Sequence, residues 1–324
     1  MKTNLYFLSI CVVFALVVFD SCDSCDCPEP NEPMISQYDL DKSIVEVNTT
    51  NASTAFETVF QNISDSTERA TMCQVFVNDA RFYNDKSGYF FIETLNDAWV
   101  VAHINPDIIG TSRIDIQDVN GKYFIREMVE TVKYSGYGYI EYYRTNPSTN
   151  ADERKMSFVT SIRSANWFIG AGFYGGPSET YYLRDEAKQI VLKEVTVTMA
   201  DGIGGIIENL YTDEQEIISF CQDFVDHIRF FDDGSGYFFI NTLEGINIAH
   251  GANPDLQGTD VLGIQDTKGA FITQDMIDIV NESGFGYYNY YWDNPASGNN
   301  EQKTSFVMLI PGTNYYIGAG YYLN

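Results

Sequence analysis

Residues 88–92 read Gly-Tyr-Phe-Phe-Ile, and residues 236–240 repeat the same five residues 148 positions later. The similarity is not local, because the whole stretch 73–174 returns as 221–322 at that offset. A repeat of this length is a copied domain, since solenoid units span only about 20 to 50 residues. We therefore predict two domains of one fold, each long enough to bury its own core.

The order of elements in each copy predicts an α+β fold. In the first copy, apolar residues at nearly helical spacing predict a long helix over 54–82. In the second copy a helix over 182–199 is followed by a glycine-rich break at 202–205. A further helix starts at Thr212, where Thr212-x-x-Gln215 predicts a capping box. Two strands, a helix and three strands follow in both copies, which is typical of an antiparallel sheet with segregated helices.

The first residues have the features of an export signal. Lys2 precedes an apolar run over 5–19, which is shorter than the about 20 residues that a membrane span needs. Ser21-Cys22 follows directly, as in a bacterial lipobox. We predict a signal peptide at 1–21 and lipid attachment at Cys22, so that the chain is exported and anchored at the cell envelope. Plain secretion and an uncleaved anchor are the alternatives.

The remaining residues divide into three segments. A Pro-, Glu- and Asn-rich stretch predicts a tether over 22–50, and the first domain is predicted at 51–177. Gly175-Gly176-Pro177 indicates the boundary, because such residues end regular structure. The second domain is then predicted at 178–324.

Composition excludes several classes of function. The formal net charge is −26 over 324 residues, which argues against binding to nucleic acid, whose phosphates require a basic surface. The sequence contains no phosphate-binding loop, dinucleotide fingerprint or nucleophile elbow. The cysteines over 22–27 lack the further ligands that would complete a zinc site. We predict a protein that is not an enzyme and uses no cofactor or metal.

Six short motifs follow one another in the second copy. They are GYFFI at 236–240, AHGANP at 249–254, DTKG at 266–269, GFGYYNYYWDNP at 284–295, KTSFV at 303–307 and IGAGYY at 317–322. Together they resemble the Cache family, the extracytoplasmic sensor domains of chemoreceptors and sensor kinases. The first copy departs in a shorter loop at 103–106 and in Arg144, where the second copy has Trp292.

The resemblance implies two tandem PAS-like domains, each with a small-ligand pocket on one face of its sheet. It also implies a short carboxylate as ligand, such as acetate, pyruvate or lactate. Because the sequence stops directly after the last predicted strand, we expect signal output to need a separate receptor or transporter.

Two lysines are the main candidates for binding an acid. Strand alternation places Lys303 on the same face as Ser305 and Val307, so that its side chain points into the domain, and Lys155 is its counterpart. A buried lysine is costly unless it is paired. An anionic ligand is one possible partner, and the loop residues Asp118 and Asp266 are the alternative.

The other candidates are polar and aromatic residues present in both copies. His103 and His250 could donate a hydrogen bond to a carboxylate or sense pH, or could simply anchor the Asn-Pro loop. Arginines can bind carboxylates through two hydrogen bonds, or lie at the surface near a helix end. Strand aromatics could form pocket walls or ordinary core. The arginines are Arg81 and Arg229, and the aromatics are Tyr89, Tyr237, Phe91, Phe239, Tyr142, Tyr290 and Trp292.

The exchange of Arg144 for Trp292 suggests that the copies have diverged. We hypothesise that the two domains bind different ligands, or that only the second binds. The predicted function is extracytoplasmic binding of a short organic acid. The alternative is a surface lipoprotein that mediates protein contacts and has a vestigial pocket.

Overall fold

A computed structural model describes residues 34–323 of the chain. The signal peptide and the lipid attachment predicted at Cys22 lie outside the described residues. Within the described part, none of the helices has both the length and the apolar character that a membrane crossing requires.

The first half is a helical layer against a five-stranded sheet. Its elements are β1 (Ile35–Ser36), α1 (Gln37–Val59), α2 (Ser66–Asp79), β2 (Tyr89–Thr94), β3 (Val100–His103), α3 (Phe124–Ser135), β4 (Tyr137–Thr145), β5 (Asp152–Ile162) and β6 (Trp167–Tyr174). The strand order is β3-β2-β6-β5-β4, and all neighbours are antiparallel.

The second half repeats this architecture. Its elements are β7 (Tyr181–Tyr182), α4 (Arg184–Leu210), α5 (Glu214–Val225), β8 (Phe238–Thr242), β9 (Asn247–His250), α6 (Ile272–Ser283), β10 (Phe285–Asp293), β11 (Asn300–Leu309) and β12 (Tyr315–Tyr322). The strand order β9-β8-β12-β11-β10 matches that of the first sheet, and the short strands β1 and β7 pair with each other. The predicted α+β fold with two similar halves is confirmed.

Helix α1, the first helix within the described residues, differs from its prediction. Helix α1 begins at Gln37, so that residues 37–50 of the predicted tether are helical. The single helix predicted over 54–82 was wrong, because α1 ends at Val59 and α2 is a separate helix. The carboxylate of Asp65 caps α2 by accepting hydrogen bonds from the amides of Thr67 and Glu68.

The predicted glycine-rich break was also wrong, because α4 runs unbroken through residues 202–205. Glycine weakens a helix, but here it allows a close approach of two helices. A Cβ atom on Gly202 would overlap the Phe76 ring, and one on Gly205 would overlap the Asp79 carboxylate. Sequence alone cannot separate this use of glycine from helix termination.

The capping box predicted before α5 is replaced by a simpler cap. The N-cap residue is Asp213, not Thr212, and its carboxylate accepts hydrogen bonds from the amides of Gln215 and Glu216. The carboxylate also interacts favourably with the helix dipole.

The helical layers of the two halves share one hydrophobic core. The ring of Phe224 from α5 lies 6.5 Å from that of Phe56 in α1 and 6.0 Å from that of Phe76 in α2. Cys73 and Cys221 are buried in the same core as free thiols. On the other face of each sheet lies a smaller core that includes residues of α3 or α6.

Candidate ligand-binding site

The candidate site lies on the sheet face that packs against α6. Strand alternation sends Phe238 into the shared helical core and sends Tyr237 and Phe239 to the opposite face. On β11, Phe306 and Val307 divide between the two faces in the same way. The predicted inward direction of Lys303 is thus a consequence of the two-residue strand period.

A cavity of about 40 Å³ opens on this face. Since a water position needs roughly 10–15 Å³, there is room for roughly three water-sized groups, which suits a very small molecule. Five of the seven site residues predicted in the second copy line it, namely Tyr237, Phe239, His250, Tyr290 and Trp292. The other lining residues are Asn241, Asn247, Leu256, Val261, Ile264, Ile272, Thr273 and Met276.

Lys303 lies directly behind this wall and has no exposed surface. Its Nζ is 3.8 Å from the centre of the Tyr237 ring and 5.1 Å from that of Tyr322. No hydrogen-bond acceptor reaches Nζ among the residues that the structure describes. Burial lowers the pKa of Lys303 well below its usual value. The rings offer cation–π attraction, but the ammonium protons lack acceptors.

The first half repeats this arrangement around Lys155. This lysine is also fully buried, with Nζ 3.7 Å from the centre of the Tyr89 ring and 4.7 Å from that of Tyr174. Its Nζ has no acceptor with full hydrogen-bond geometry within residues 34–323, but the Tyr89 hydroxyl lies near enough to interact with it. Burial lowers the pKa of Lys155, and the neighbouring Tyr89 opposes the shift.

The two loop aspartates are not the partners of the lysines. One carboxylate oxygen of Asp118 accepts hydrogen bonds from the amides of Asn120 and Lys122, and the other accepts from the amide of Tyr143. Asp266 organises the equivalent loop in the same way. These bonds lower the pKa of both aspartates, against a raising effect of burial. The structural alternative for Lys155 and Lys303 is therefore excluded.

The two histidines anchor the Asn-Pro loops. Nδ1 of His250 accepts a hydrogen bond of 2.9 Å from the amide of Asn253, and Nδ1 of His103 accepts one of 2.9 Å from the amide of Asn105. A neutral imidazole that accepts through Nδ1 carries its proton on Nε2, which leaves one donor. Burial, followed by nearby positive charge, lowers the pKa of both histidines to about 3. They stay neutral near pH 7, which argues against the pH-sensor interpretation.

The pKa of His250 predicts an acid-dependent loss of stability. An unfolded histidine titrates near pH 6.5. Between about pH 6.5 and pH 3 the unfolded chain binds a proton that the native chain does not, so stability falls as the pH falls. His250→Asn keeps an acceptor for the amide of Asn253 but does not titrate. Between about pH 7 and pH 4.5 we expect its free energy of unfolding to fall by about 2 kcal/mol less than that of the wild type. Urea unfolding at the two pH values measures this. The exposed His227→Asn is the control and should follow the wild type, and equal losses in all three proteins would refute the argument.

The predicted arginines do not line the cavity. Arg81 donates to the carbonyl oxygens of Lys86 and Gly88, and Arg229 donates to those of Ile228 and Gly251. Arg229 instead lines a separate groove of about 500 Å³ that runs beside α1. Both side chains hold loops in place, an arrangement that depends on carbonyl groups whose positions the sequence does not show.

The buried tyrosines complete the wall. Tyr290 and Ser305 share a hydrogen bond of 3.0 Å between their hydroxyl oxygens, and Tyr142 and Ser157 share one of the same length. Both tyrosines are buried, and burial raises their pKa above the usual value. They are therefore neutral, and their positions are fixed by the serines.

Sequence reasoning missed an amide pair that lines the cavity. Asn247 donates to the side-chain oxygen of Asn241 at 2.7 Å, and Asn241 donates to the hydroxyl of Tyr316 at 2.8 Å. Two features of the sequence could have indicated this pair. Asn241 and Asn247 interrupt otherwise apolar strands, and the first copy has Glu93 where the second has Asn241. Within residues 34–323, His, Cys, Asp and Glu side chains form no group of three that could hold a metal ion.

Comparison with known families agrees with this geometry. A family model described as single Cache domain 2 matches residues 41–176, and a second, described as Cache domain, matches residues 178–324. The chain belongs to the Cache family. Its two halves are tandem Cache domains, which are non-catalytic, extracytoplasmic sensor domains that bind small ligands.

Individual relatives are receptors and kinases. The methyl-accepting chemotaxis protein McpP of Pseudomonas putida is 33% identical over 92 residues, or 28% of this chain and 17% of that protein. The sensor histidine kinase MctS of Rhizobium johnstonii is 30% identical over 89 residues, or 28% of this chain and 19% of the kinase. The match thus spans less than a fifth of either relative. A solved Cache chemosensory domain that recognises carboxylic acids is 27% identical, with a TM-score of 0.39, over 43% of this chain and 95% of that domain.

Proposed function

We propose that the second domain binds a short monocarboxylate and that this binding is the sensing event of the protein. The observation that carries the proposal is the fully buried Lys303, which lies beside a small cavity and has no hydrogen-bond acceptor within residues 34–323. Burying an ammonium in this way is costly unless an anion accompanies it. A carboxylate supplies both the negative charge and the acceptor oxygens.

The cavity favours a ligand with one charged end and a short apolar tail. Val261, Ile264 and Met276 provide apolar walls, and Asn241 and Asn247 provide neutral amides. The Tyr237 ring covers the lysine, so the bound carboxylate requires a shift of that ring or shares the tyrosine hydroxyl with the ammonium. The volume of about 40 Å³, with room for roughly three water-sized groups, favours the shortest acids.

The predicted location of the protein and its predicted signalling partner rest on the sequence. Export with lipid attachment at Cys22 and delivery of the signal to a separate receptor or transporter stay predictions. The family supports an extracytoplasmic location, where such a domain would meet external acids.

A thermal-shift panel tests the proposal. We expect formate, acetate, propionate, pyruvate or lactate to raise the melting temperature of the full chain, because a ligand at 100 times its Kd stabilises by about 2.7 kcal/mol. The matched amides, acetamide and propionamide, lack the charge and should give no shift. If no acid raises the melting temperature, the vestigial-pocket alternative replaces this proposal.

A further inference from the structure

The first domain places charged side chains where the second domain has neutral ones. Trp292 lines the cavity of the second domain, and Arg144 holds the same place in the first. The strand registers agree, because Trp292 pairs with Glu301 on β11 and Arg144 pairs with Glu153 on β5. The exchange therefore adds a guanidinium to the corresponding face of the first sheet.

A second arginine replaces an apolar wall residue. The amide of Val261 donates to the carbonyl of Gly245 at 2.9 Å, and the amide of Arg113 donates to that of Ala98 at 3.0 Å. These matching bonds place Arg113 at the position of the cavity-lining Val261. The side chain of Arg113 is buried, and its guanidinium lies 5.9 Å from the centre of the Phe124 ring.

One carboxylate offsets part of this charge. Glu93, at the position of Asn241, forms an ion pair of 2.7 Å with Nη1 of Arg113. Its second oxygen and Nε of Arg113 are buried and have no hydrogen-bond partner within the described chain. Burial raises the pKa of Glu93 to about 7, although Arg113 opposes this, so that its negative charge is incomplete near neutrality.

Arg144 itself has no carboxylate partner. It is half-buried and forms no ion pair with any residue in the range 34–323. Glu153, opposite on β5, instead accepts hydrogen bonds from the side-chain amide of Asn146 and the hydroxyl of Thr149. The guanidinium is thus available to a ligand.

The sum of charges differs between the two sites. In the first domain three basic side chains, Lys155, Arg113 and Arg144, share a region with one carboxyl group, Glu93, so that basic groups outnumber acidic groups by two. In the second domain Lys303 is the one ionisable group at the corresponding four positions, because the other three are Val261, Trp292 and Asn241.

We propose that the first domain is a second, chemically distinct site that binds a small dicarboxylate, with one carboxylate on Lys155 and the other on Arg144 and Arg113. The inference rests on the proposed use of the buried lysines as carboxylate partners. It assigns different ligand charges to the two domains, two in the first and one in the second.

Paired ligands of equal chain length test the proposal on the full chain. In Lys303→Met, where the second site is silenced, succinate should bind at least about 10-fold more tightly than butyrate, because it makes an additional charge-assisted contact. Isothermal titration calorimetry measures both affinities. Equal affinities, or binding of butyrate alone, would overturn the dicarboxylate assignment.

Exchange of single residues locates the second carboxylate. Arg144→Trp, which installs the residue of the second domain, should weaken succinate binding at least about 10-fold. Arg144→Lys should retain most of the binding, and the exposed Arg163→Trp should leave it unchanged. If Arg144→Trp is folded by circular dichroism and binds succinate normally, the proposal is wrong. If Arg144→Trp is unfolded, Arg144→Met serves as the neutral variant.

Titrations in Lys155→Met distinguish a failure of this inference from a failure of the proposed function. In Lys155→Met only the second site is intact, and monocarboxylates should bind there in preference to succinate. Loss of monocarboxylate binding in that variant, with succinate binding retained in Lys303→Met, would refute the proposed function alone. The opposite pattern would refute the dicarboxylate site alone.

Discussion

Lys303→Met should lower the affinity of the second domain for its monocarboxylate by at least about 30-fold, equivalent to about 2 kcal/mol or more. Truncation of one partner of a buried charge pair costs this much, because the other charge stays buried without compensation. Titration of the acid found in the ligand panel measures the loss, with Lys155→Met as the background that isolates the second site.

The stability of the ligand-free variant is the decisive companion measurement. Since Lys303 has no acceptor in the described chain, its removal eliminates a buried amino group without a hydrogen-bond partner. We expect the free energy of unfolding of Lys303→Met to stay within about 1 kcal/mol of the wild type or to rise. The exposed Lys268→Met should affect neither affinity nor stability. Strong destabilisation with unchanged ligand affinity would show that Lys303 is structural.

Phe224→Ala should destabilise the whole described chain by about 3–5 kcal/mol, because it opens a cavity in the core that both halves share. The ring is almost fully buried and contacts Phe56 and Phe76 of the first half. We therefore expect one cooperative unfolding transition at a lower denaturant concentration, detected both by tryptophan fluorescence and by circular dichroism.

A surface phenylalanine provides the matched control. Phe285 on β10 is 51% exposed, so Phe285→Ala should cost less than about 1 kcal/mol. If Phe224→Ala unfolds in two separate steps and only one step shifts, the halves are independent and the shared core does not couple them.

Local periodicity made much of the fold and part of the site predictable. The two-residue period of strands indicated that Lys155 and Lys303 point inward, since alternation depends only on the backbone. The repeat nominated the aromatic residues and His250, and all five of the aromatic and histidine candidates in the second copy line the cavity. The differences between the copies also marked Arg144 as a position of divergence.

The sequence by itself determined the duplication, the fold class and the inward direction of the lysines. Only the tertiary structure decided which groups meet them. It assigned Asp118 and Asp266 to their own loops, so that Lys303 is left without an acceptor in the described chain. Gly202 and Gly205 likewise serve helix packing and not termination. The physical reason is range: periodicity arises between neighbours in the chain, whereas a partner or a close helix contact depends on segments that meet only after folding.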